Sequence, residues 1–133
     1  MKRIPTFVAA LAAIAFVAAA GATNSKTTVT VTEKEWKVTP LPSKAKPGSV
    51  TFKIKNTGHL KHEFIVVRTT LAKLPIKGAV AVIKPGTQLA KIGAISPGKS
   101  ATLTLSLKAG TYELLCNLPA HYAAGQHIQF KVS

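Results

Sequence analysis

Cysteine is nearly absent from this chain, since Cys116 is the only one among 133 residues. An intramolecular disulfide is therefore excluded, and so is a zinc site built on Cys-x-x-Cys pairs. Methionine is as scarce, because the initiator Met1 is the only one. A lone cysteine leaves four interpretations open: a buried inert thiol, an intermolecular bridge, a nucleophile or a metal ligand.

Acidic residues are also scarce, with four against 18 basic residues and a formal net charge of +14. The lysines are scattered singly, and the sequence shows no recognition helix, zinc finger or aromatic-basic platform, so nucleic acid is excluded as the expected partner. Lysines spread over alternating strand positions suit a solvated face. They also suit attraction to acidic proteins or peripheral contact with an anionic membrane surface. Both interpretations stay open.

The N-terminus has the pattern of a secretory signal peptide. Lys2 and Arg3 precede an apolar run over 7–20, and small residues follow, with alanine at both specificity positions. We predict a signal peptide over 1–22, cleaved after its last alanine, and a periplasmic or otherwise extracytoplasmic protein. The alternative is an uncleaved anchor, because this segment could nearly span the ~30 Å hydrocarbon core of a bilayer.

Residues 23–133 are then 111 residues long, which suits one domain with one core. Two of the basic residues lie in the signal peptide, so this domain keeps 16 basic and four acidic residues, a net charge of +12. No internal repeat or low-complexity linker divides it. We expect a monomer.

Alternation of polar and apolar residues predicts an all-β fold without a long helix. Turn signals such as Pro47-Gly48 and Pro97-Gly98 separate the alternating runs. Segment 69–91 is broken by proline and glycine and predicts loops with a short strand or helical turn. The pattern as a whole indicates a β-sandwich of seven or eight strands. Predicted strands cover 27–32, 50–55, 64–67, 101–107, 111–115 and 126–132.

Three potential metal ligands share one loop near the C-terminus: Cys116, His121 and Gln126. Pro119 and Gly125 argue against a helix here, so the loop can fold back and bring a thiolate, an imidazole and an amide oxygen to one point. A cysteine hydrolase is disfavoured, because this arrangement has no orienting carboxylate or oxyanion site.

A second imidazole comes from His62, at the start of the strand predicted to be buried on both sides. Two imidazoles, a soft thiolate and a weak axial donor form a trigonal site that suits both copper(I) and copper(II), whereas structural zinc normally takes four strong ligands. His59, three residues earlier, is the alternative to His62. His127 follows Gln126 directly and is expected to point the other way in a strand.

The spacing Cys-x4-His-x4-Gln from Cys116, together with His62-Glu63-Phe64 after the Asn56-Thr57-Gly58 turn, resembles the cupredoxins, the small blue copper proteins. The resemblance implies a Greek-key β-sandwich holding one type 1 copper ion. By position it implies His62, Cys116 and His121 as equatorial ligands and Gln126 at the axial position that methionine usually occupies. The spacing and the glutamine make this loop similar to that of the stellacyanins. This chain cannot form the disulfide of that group, because it has one cysteine.

The resemblance further implies a single-electron carrier and not an enzyme. His121 would be the exposed edge, and redox partners with acidic docking surfaces, such as a cytochrome or an oxidase, would be attracted by the lysines. The alternative is a copper carrier or storage protein that delivers copper to an oxidase. Copper oxidase or nitrite reductase chemistry is disfavoured, because it needs further histidine clusters and a longer chain.

Overall fold

Two β-sheets packed face to face form the domain in the computed structural model, which describes residues 24–133. The predicted signal peptide lies outside the described residues. The elements are β1 (Ser25–Lys34), β2 (Lys37–Leu41), β3 (Lys44–Ala45), β4 (Gly48–Asn56), β5 (His62–Arg68), β6 (Ile76–Lys77), β7 (Val80–Ala81), β8 (Gln88–Ile95), β9 (Ser100–Leu107), β10 (Gly110–Leu115), α1 (His121–Ala124) and β11 (His127–Val132).

The first sheet has the strand order β2-β1-β4-β9, and the second has β3-β11-β10-β5-β8. Strands β6 and β7 form a separate hairpin. Two pairs, β1 with β4 and β3 with β11, run parallel, and the other pairs are antiparallel. The chain passes between the two sheets several times, and within 24–133 the fold is the β-sandwich that the alternation predicts, with nine strands in its two main sheets instead of seven or eight.

The main core lies between the sheets and follows from the alternating pattern. Every second side chain of β1 and β4 points inward, because successive residues of a strand face opposite sides of its sheet. Removing these side chains from water stabilises the fold by roughly 25 cal/mol per Å² of apolar surface buried. The largest core side chains are Phe52, Ile54, Phe64, Tyr112, Leu114 and Phe130.

Strand β5 is buried along both faces, as its continuous apolar run predicts. Phe64 and Val66 point into the main core, whereas Ile65 and Val67 join a second apolar cluster on the other side of the sheet. Segment 69–91, whose sequence pattern is irregular, packs over that outer face of the sheet. The other buried members of the second cluster are Leu74, Ala81, Leu115 and Tyr122.

Each of the six predicted strands lies on an observed one, and their ends differ by at most two residues. The sequence did not predict β8, most of which is exposed at a sheet edge, so the residues that form it show no clean alternation. Within 24–133, no helix is long and apolar enough to cross a membrane.

Candidate metal centre

The pairing of β5 with β10 brings two distant parts of the chain together at one end of the sandwich. These strands are antiparallel, and Leu115 lies opposite Ile65. The start of one strand therefore meets the end of the other, so His62 at the first position of β5 lies beside Cys116, which directly follows β10.

Three potential ligand atoms converge there: the imidazole nitrogens of His62 and His121 and the sulfur of Cys116. The two Nδ1 atoms are 3.3 Å apart, and Sγ lies 3.4 Å from the Nδ1 of His121. All three atoms lie within 4.8 Å of one another. His62 and Cys116 are fully buried, whereas His121 is partly exposed. A soft thiolate with two imidazoles is the donor set that suits copper.

Backbone hydrogen bonds close the loop that carries Cys116, His121 and Gln126. The N–H of Cys116 donates to the carbonyl of Gln126 at 3.0 Å, and the N–H of Gln126 donates to the carbonyl of His121 at 3.1 Å. Between them lies α1, a single helical turn that Gly125 ends in a left-handed conformation. The sequence argued against a helix here, and the structure corrects that view, because four residues fit before the glycine.

Segment 69–91 also supports this loop directly. The side chain of Asn117 accepts a hydrogen bond from the N–H of Ala81 at 2.7 Å and donates to its carbonyl at 3.1 Å. The N–H of Ala120 donates to the carbonyl of Ala79 at 2.7 Å. The β6–β7 hairpin thus fixes the backbone on either side of Pro119, which the sequence alone did not indicate.

A buried polar network fixes the loop from its inner side. The hydroxyl of Tyr122 donates to the carboxylate of Glu113 at 2.7 Å and accepts from the N–H of Leu74, also at 2.7 Å. His127 contacts the same carboxylate oxygen through Nδ1 at 2.8 Å and stacks on the Tyr122 ring. Burial raises the pKa of Glu113 despite these partners.

Gln126 lies next to the ligand loop and is fully buried. Its amide nitrogen donates to the carbonyl of Lys37 at 3.2 Å, which orients the side chain. Its amide oxygen has no hydrogen-bond partner among residues 24–133. Such an orphaned buried acceptor costs about 1–3 kcal/mol, and a cation would satisfy it.

The environment of the sulfur suits a thiolate held by a metal. The N–H of Glu63 donates to Sγ at 3.2 Å, as expected for backbone support of a cysteine ligand. Burial nevertheless raises the pKa of the Cys116 thiol to about 11. The thiol is therefore protonated at neutral pH without a metal, and metal binding must displace that proton.

His121 is held as a neutral imidazole, the form that ligates metals. Burial lowers its pKa, and the neighbouring His62 lowers it further. Its ring also meets the edge of Trp36, with ring centroids 4.8 Å apart.

His62 is oriented by Glu35, which lies in the turn between β1 and β2. The Nε2 of His62 is 2.9 Å from a carboxylate oxygen of Glu35. Backbone hydrogen bonds from His59 and Leu60 hold the pKa of Glu35 down at about 2, so the carboxylate is ionised. An ionised carboxylate only accepts, so the Nε2–H of His62 is the donor in this contact, and Nδ1 is the ring nitrogen that faces His121.

The other two histidines lie outside this cluster. His59 contacts Glu35 through its backbone N–H, and its side chain is exposed. His127 turns to Glu113, away from the group. The structure thus brings together His62, Cys116 and His121.

The protein surface at the centre is partly apolar. Next to the partly exposed His121, Pro119 and Ala123 are exposed and Leu118 is partly so. Tyr122, the residue after His121, does not belong to this surface: it is fully buried, and its hydroxyl donates to Glu113. Trp36 is 41% exposed and lies against His121.

The Cupredoxin-like domain family model matches residues 7–128 of the chain. The chain belongs to the cupredoxin family. Members of this family bind type 1 copper, and the His–Cys–His cluster suits such an ion. No curated protein sequence matches this cupredoxin significantly.

Solved structures of similar fold include auracyanin from the photosynthetic bacterium Roseiflexus castenholzii, in its dithionite-reduced form, at 21% identity and a TM-score of 0.59. That match covers 81% of this cupredoxin and 96% of the auracyanin. Rusticyanin from Thiobacillus ferrooxidans is 20% identical with a TM-score of 0.61, covering 80% and 77% of the two chains. Auracyanin B is 22% identical with a TM-score of 0.61, covering 80% and 88%. These likenesses agree with the β-sandwich.

Proposed function

We propose that this cupredoxin is an exported, soluble single-electron carrier in which His62, Cys116 and His121 hold the copper ion and Gln126 is its axial ligand. The convergence of two imidazoles and the sole thiol within 4.8 Å carries the proposal. Bound copper supplies the one-electron couple. We propose a carrier and not an enzyme, because copper oxidase or nitrite reductase chemistry needs further histidine clusters, whereas His59 and His127 contact Glu35 and Glu113 apart from the ligands.

The buried and hydrogen-bonded setting of the ligands supports electron transfer. Asn117 and Tyr122 anchor the ligand loop on two sides, and Glu35 anchors His62. Ligands held in this way move little when the charge of the ion changes, so that little reorganisation accompanies each electron. Of the three clustered ligands only His121 reaches the surface, where its apolar surroundings can touch a partner.

Gln126 is proposed as the axial ligand because its amide oxygen is buried without a partner in the described part of the chain. The amide nitrogen of Gln126 donates to the carbonyl of Lys37, so the amide oxygen points away from that carbonyl and can accept a different partner. No methionine occurs in 24–133 to take this role. This is the arrangement that the resemblance to the stellacyanin loop implies.

The charge distribution supports a partner with an acidic docking surface, such as a cytochrome or an oxidase. All 16 lysine and arginine side chains of 24–133 are exposed, and none of the four glutamates is. Glu33 and Glu113 are fully buried, Glu35 contacts His62, and Glu63 pairs with Lys91. The solvated surface is therefore almost purely cationic, which steers anionic partners and makes association weaken with salt.

The spectrum of the copper-loaded domain 23–133 tests the proposal. We expect an intense visible absorption from the thiolate–copper(II) bond and the narrow copper hyperfine splitting of a type 1 centre in paramagnetic resonance. A colourless copper-loaded protein would refute the proposed site.

Electron self-exchange measured against copper release separates the carrier from the alternative, a protein that delivers copper to an acceptor such as an oxidase. Fast self-exchange with tightly retained copper supports electron transfer. Facile transfer of the ion to a chelating acceptor, with slow self-exchange, would support copper delivery instead.

Replacing Gln126 with methionine is expected to raise the reduction potential. An amide oxygen is a harder donor than a thioether and favours copper(II), so its removal favours copper(I). Cyclic voltammetry of both proteins measures the change. A suitable control is Gln129→Met, which introduces the same side chain on an exposed position of β11 and should leave the potential where it is. An unchanged potential in Gln126→Met would mean that the glutamine is not a ligand.

A further inference from the structure

The carboxylate of Glu35 contacts the ring of His62, one of the three clustered residues. Its Oε1 lies 2.9 Å from the Nε2 of His62, on the side of the ring opposite the ligand atom Nδ1. The His62 ring is fully buried and Glu35 only slightly exposed. A buried imidazole is thus placed between the carboxylate and the metal centre.

The loop before His62 is shaped to hold this carboxylate. The N–H of His59 donates to both of its oxygens at 3.0 Å, and the N–H of Leu60 donates to Oε1 at 2.8 Å. Gly58 packs against the same carboxylate so closely that a Cβ at this position would collide with both oxygens. The three groups leave the carboxylate one orientation, with Oε1 directed at His62.

Asn56 fixes the loop itself. Its side-chain nitrogen donates to the carbonyls of Leu60 and Ile95 at 2.7 and 2.8 Å, and its oxygen accepts from the N–H of Gly58 at 2.9 Å. The carboxylate is therefore bound to a loop that is anchored to the sandwich and not to a mobile segment.

We propose that Glu35 is a positioning residue for the copper centre, which fixes the Nε2–H tautomer of His62 and, through that imidazole, stabilises copper(II) relative to copper(I). A carboxylate that accepts the outer N–H of a ligating histidine raises the basicity of the ring and fixes its orientation. A more basic imidazole and a nearby negative charge both favour the more highly charged ion. The inference rests on the proposed function, since it concerns the ligand His62.

Glu63 offers a comparison of equal charge. It follows His62 directly in the chain, but its carboxylate pairs with the ammonium of Lys91 at 2.8 Å, and within 24–133 it has no hydrogen bond to a histidine ring. Removing one negative charge at Glu63 therefore changes the charge near the centre without changing a hydrogen bond to the His62 ring, whereas removing the charge at Glu35 changes the partner of that ring as well.

The experiment compares the reduction potentials of Glu35→Gln and Glu63→Gln with that of the parent, each loaded with copper. The glutamine oxygen at position 35 can still accept from His62, so the charge is lost while the contact remains. Since such outer partners commonly change metal affinity by 10–100-fold, we expect the ratio of copper(II) to copper(I) binding constants to fall about tenfold, equivalent to about 59 mV for one electron. Glu63→Gln should raise the potential by clearly less.

A second measurement concerns the metal-free protein. Nitrogen NMR of the imidazoles should show His62 as the Nε2–H tautomer in the parent and in Glu35→Gln, and a mixture of tautomers in Glu35→Ala. If Glu35→Ala keeps a single tautomer, or if Glu35→Gln and Glu63→Gln shift the potential equally, Glu35 does not act through His62 and the inference is overturned. A parent protein without a blue copper spectrum would instead overturn the proposed function, and the NMR result would be independent of it.

Discussion

Replacement of Cys116 by serine is expected to abolish the visible absorption of the copper-loaded protein. The colour of a type 1 centre comes from the bond between a thiolate sulfur and copper(II), and the chain has no second cysteine to replace it. Serine is similar in shape to cysteine. Its hydroxyl can accept the hydrogen bond that the N–H of Glu63 donates to Sγ in the parent protein. Removal of the soft ligand should also weaken copper(I) binding more than copper(II) binding.

Absorption and paramagnetic-resonance spectra of the copper-loaded variant measure this effect. The matched control is His59→Ala, which removes the exposed imidazole three residues before His62 and should leave the band intact. Thermal unfolding of the metal-free variant checks that the fold survives. A blue Cys116→Ser protein, or a colourless His59→Ala protein with a parent-like fold, would contradict the ligand assignment.

Replacement of Glu33 by glutamine is expected to stabilise the metal-free domain at neutral pH. Glu33 is fully buried at the end of β1, and neither of its carboxylate oxygens has a hydrogen-bond partner among the described residues. Burial, with repulsion from Glu63, raises its pKa from 4.5 to about 8. The buried Cys116 thiol is the other titratable group that Glu33 influences.

The sign follows from proton binding. Between pH 4.5 and about 8, the carboxyl of Glu33 is ionised in the unfolded chain but protonated in the fold. The folded state binds more protons in this window, so its stability falls as the pH rises, and the loss is complete above about 8. Since a tenfold change in proton affinity equals about 1.4 kcal/mol, the loss is on the order of 3 kcal/mol near pH 7. Glutamine does not ionise, so the Glu33→Gln variant does not lose this stability as the pH rises.

Urea unfolding of the two metal-free proteins at several pH values tests the expectation. The stability gain of Glu33→Gln should be small near pH 4.5 and grow steadily to pH 8. A gain or loss that does not vary with pH would show that the substitution acts through packing or through the new amide, and that ionisation of Glu33 has no part in stability.

The strand pattern and the ligand candidates could be read from the sequence because both depend on local information. Alternation places every second side chain of β1 and β4 on one face of a sheet, and this holds regardless of which strands they pair with. The scarcity of cysteine and the spacing from Cys116 to Gln126 restrict the chemistry of that loop to a few possibilities. The two-sided burial of β5 was also predicted, since its apolar run has no polar face.

Segment 69–91 could not be interpreted in this way. Its pattern is irregular, and its contribution depends on contacts that lie far away in the chain, such as those between Asn117 and Ala81 and between Tyr122 and Leu74. The surroundings of Trp36 and Tyr122 could not be inferred from the sequence for the same reason. The sequence signal of an aromatic residue is the same whether its side chain packs in a core or beside a metal centre.

Sequence alone determined that this protein is a β-sandwich with one thiol and two histidines suited to copper, because strand alternation and ligand chemistry belong to the residues themselves. Only the tertiary structure decided which histidines meet that thiol, that Glu35 holds one of them, and that the buried amide oxygen of Gln126 has no hydrogen-bond partner within 24–133. Those are contacts between segments that are distant along the chain, and the pairing of β5 with β10 and the packing of the two sheets create them.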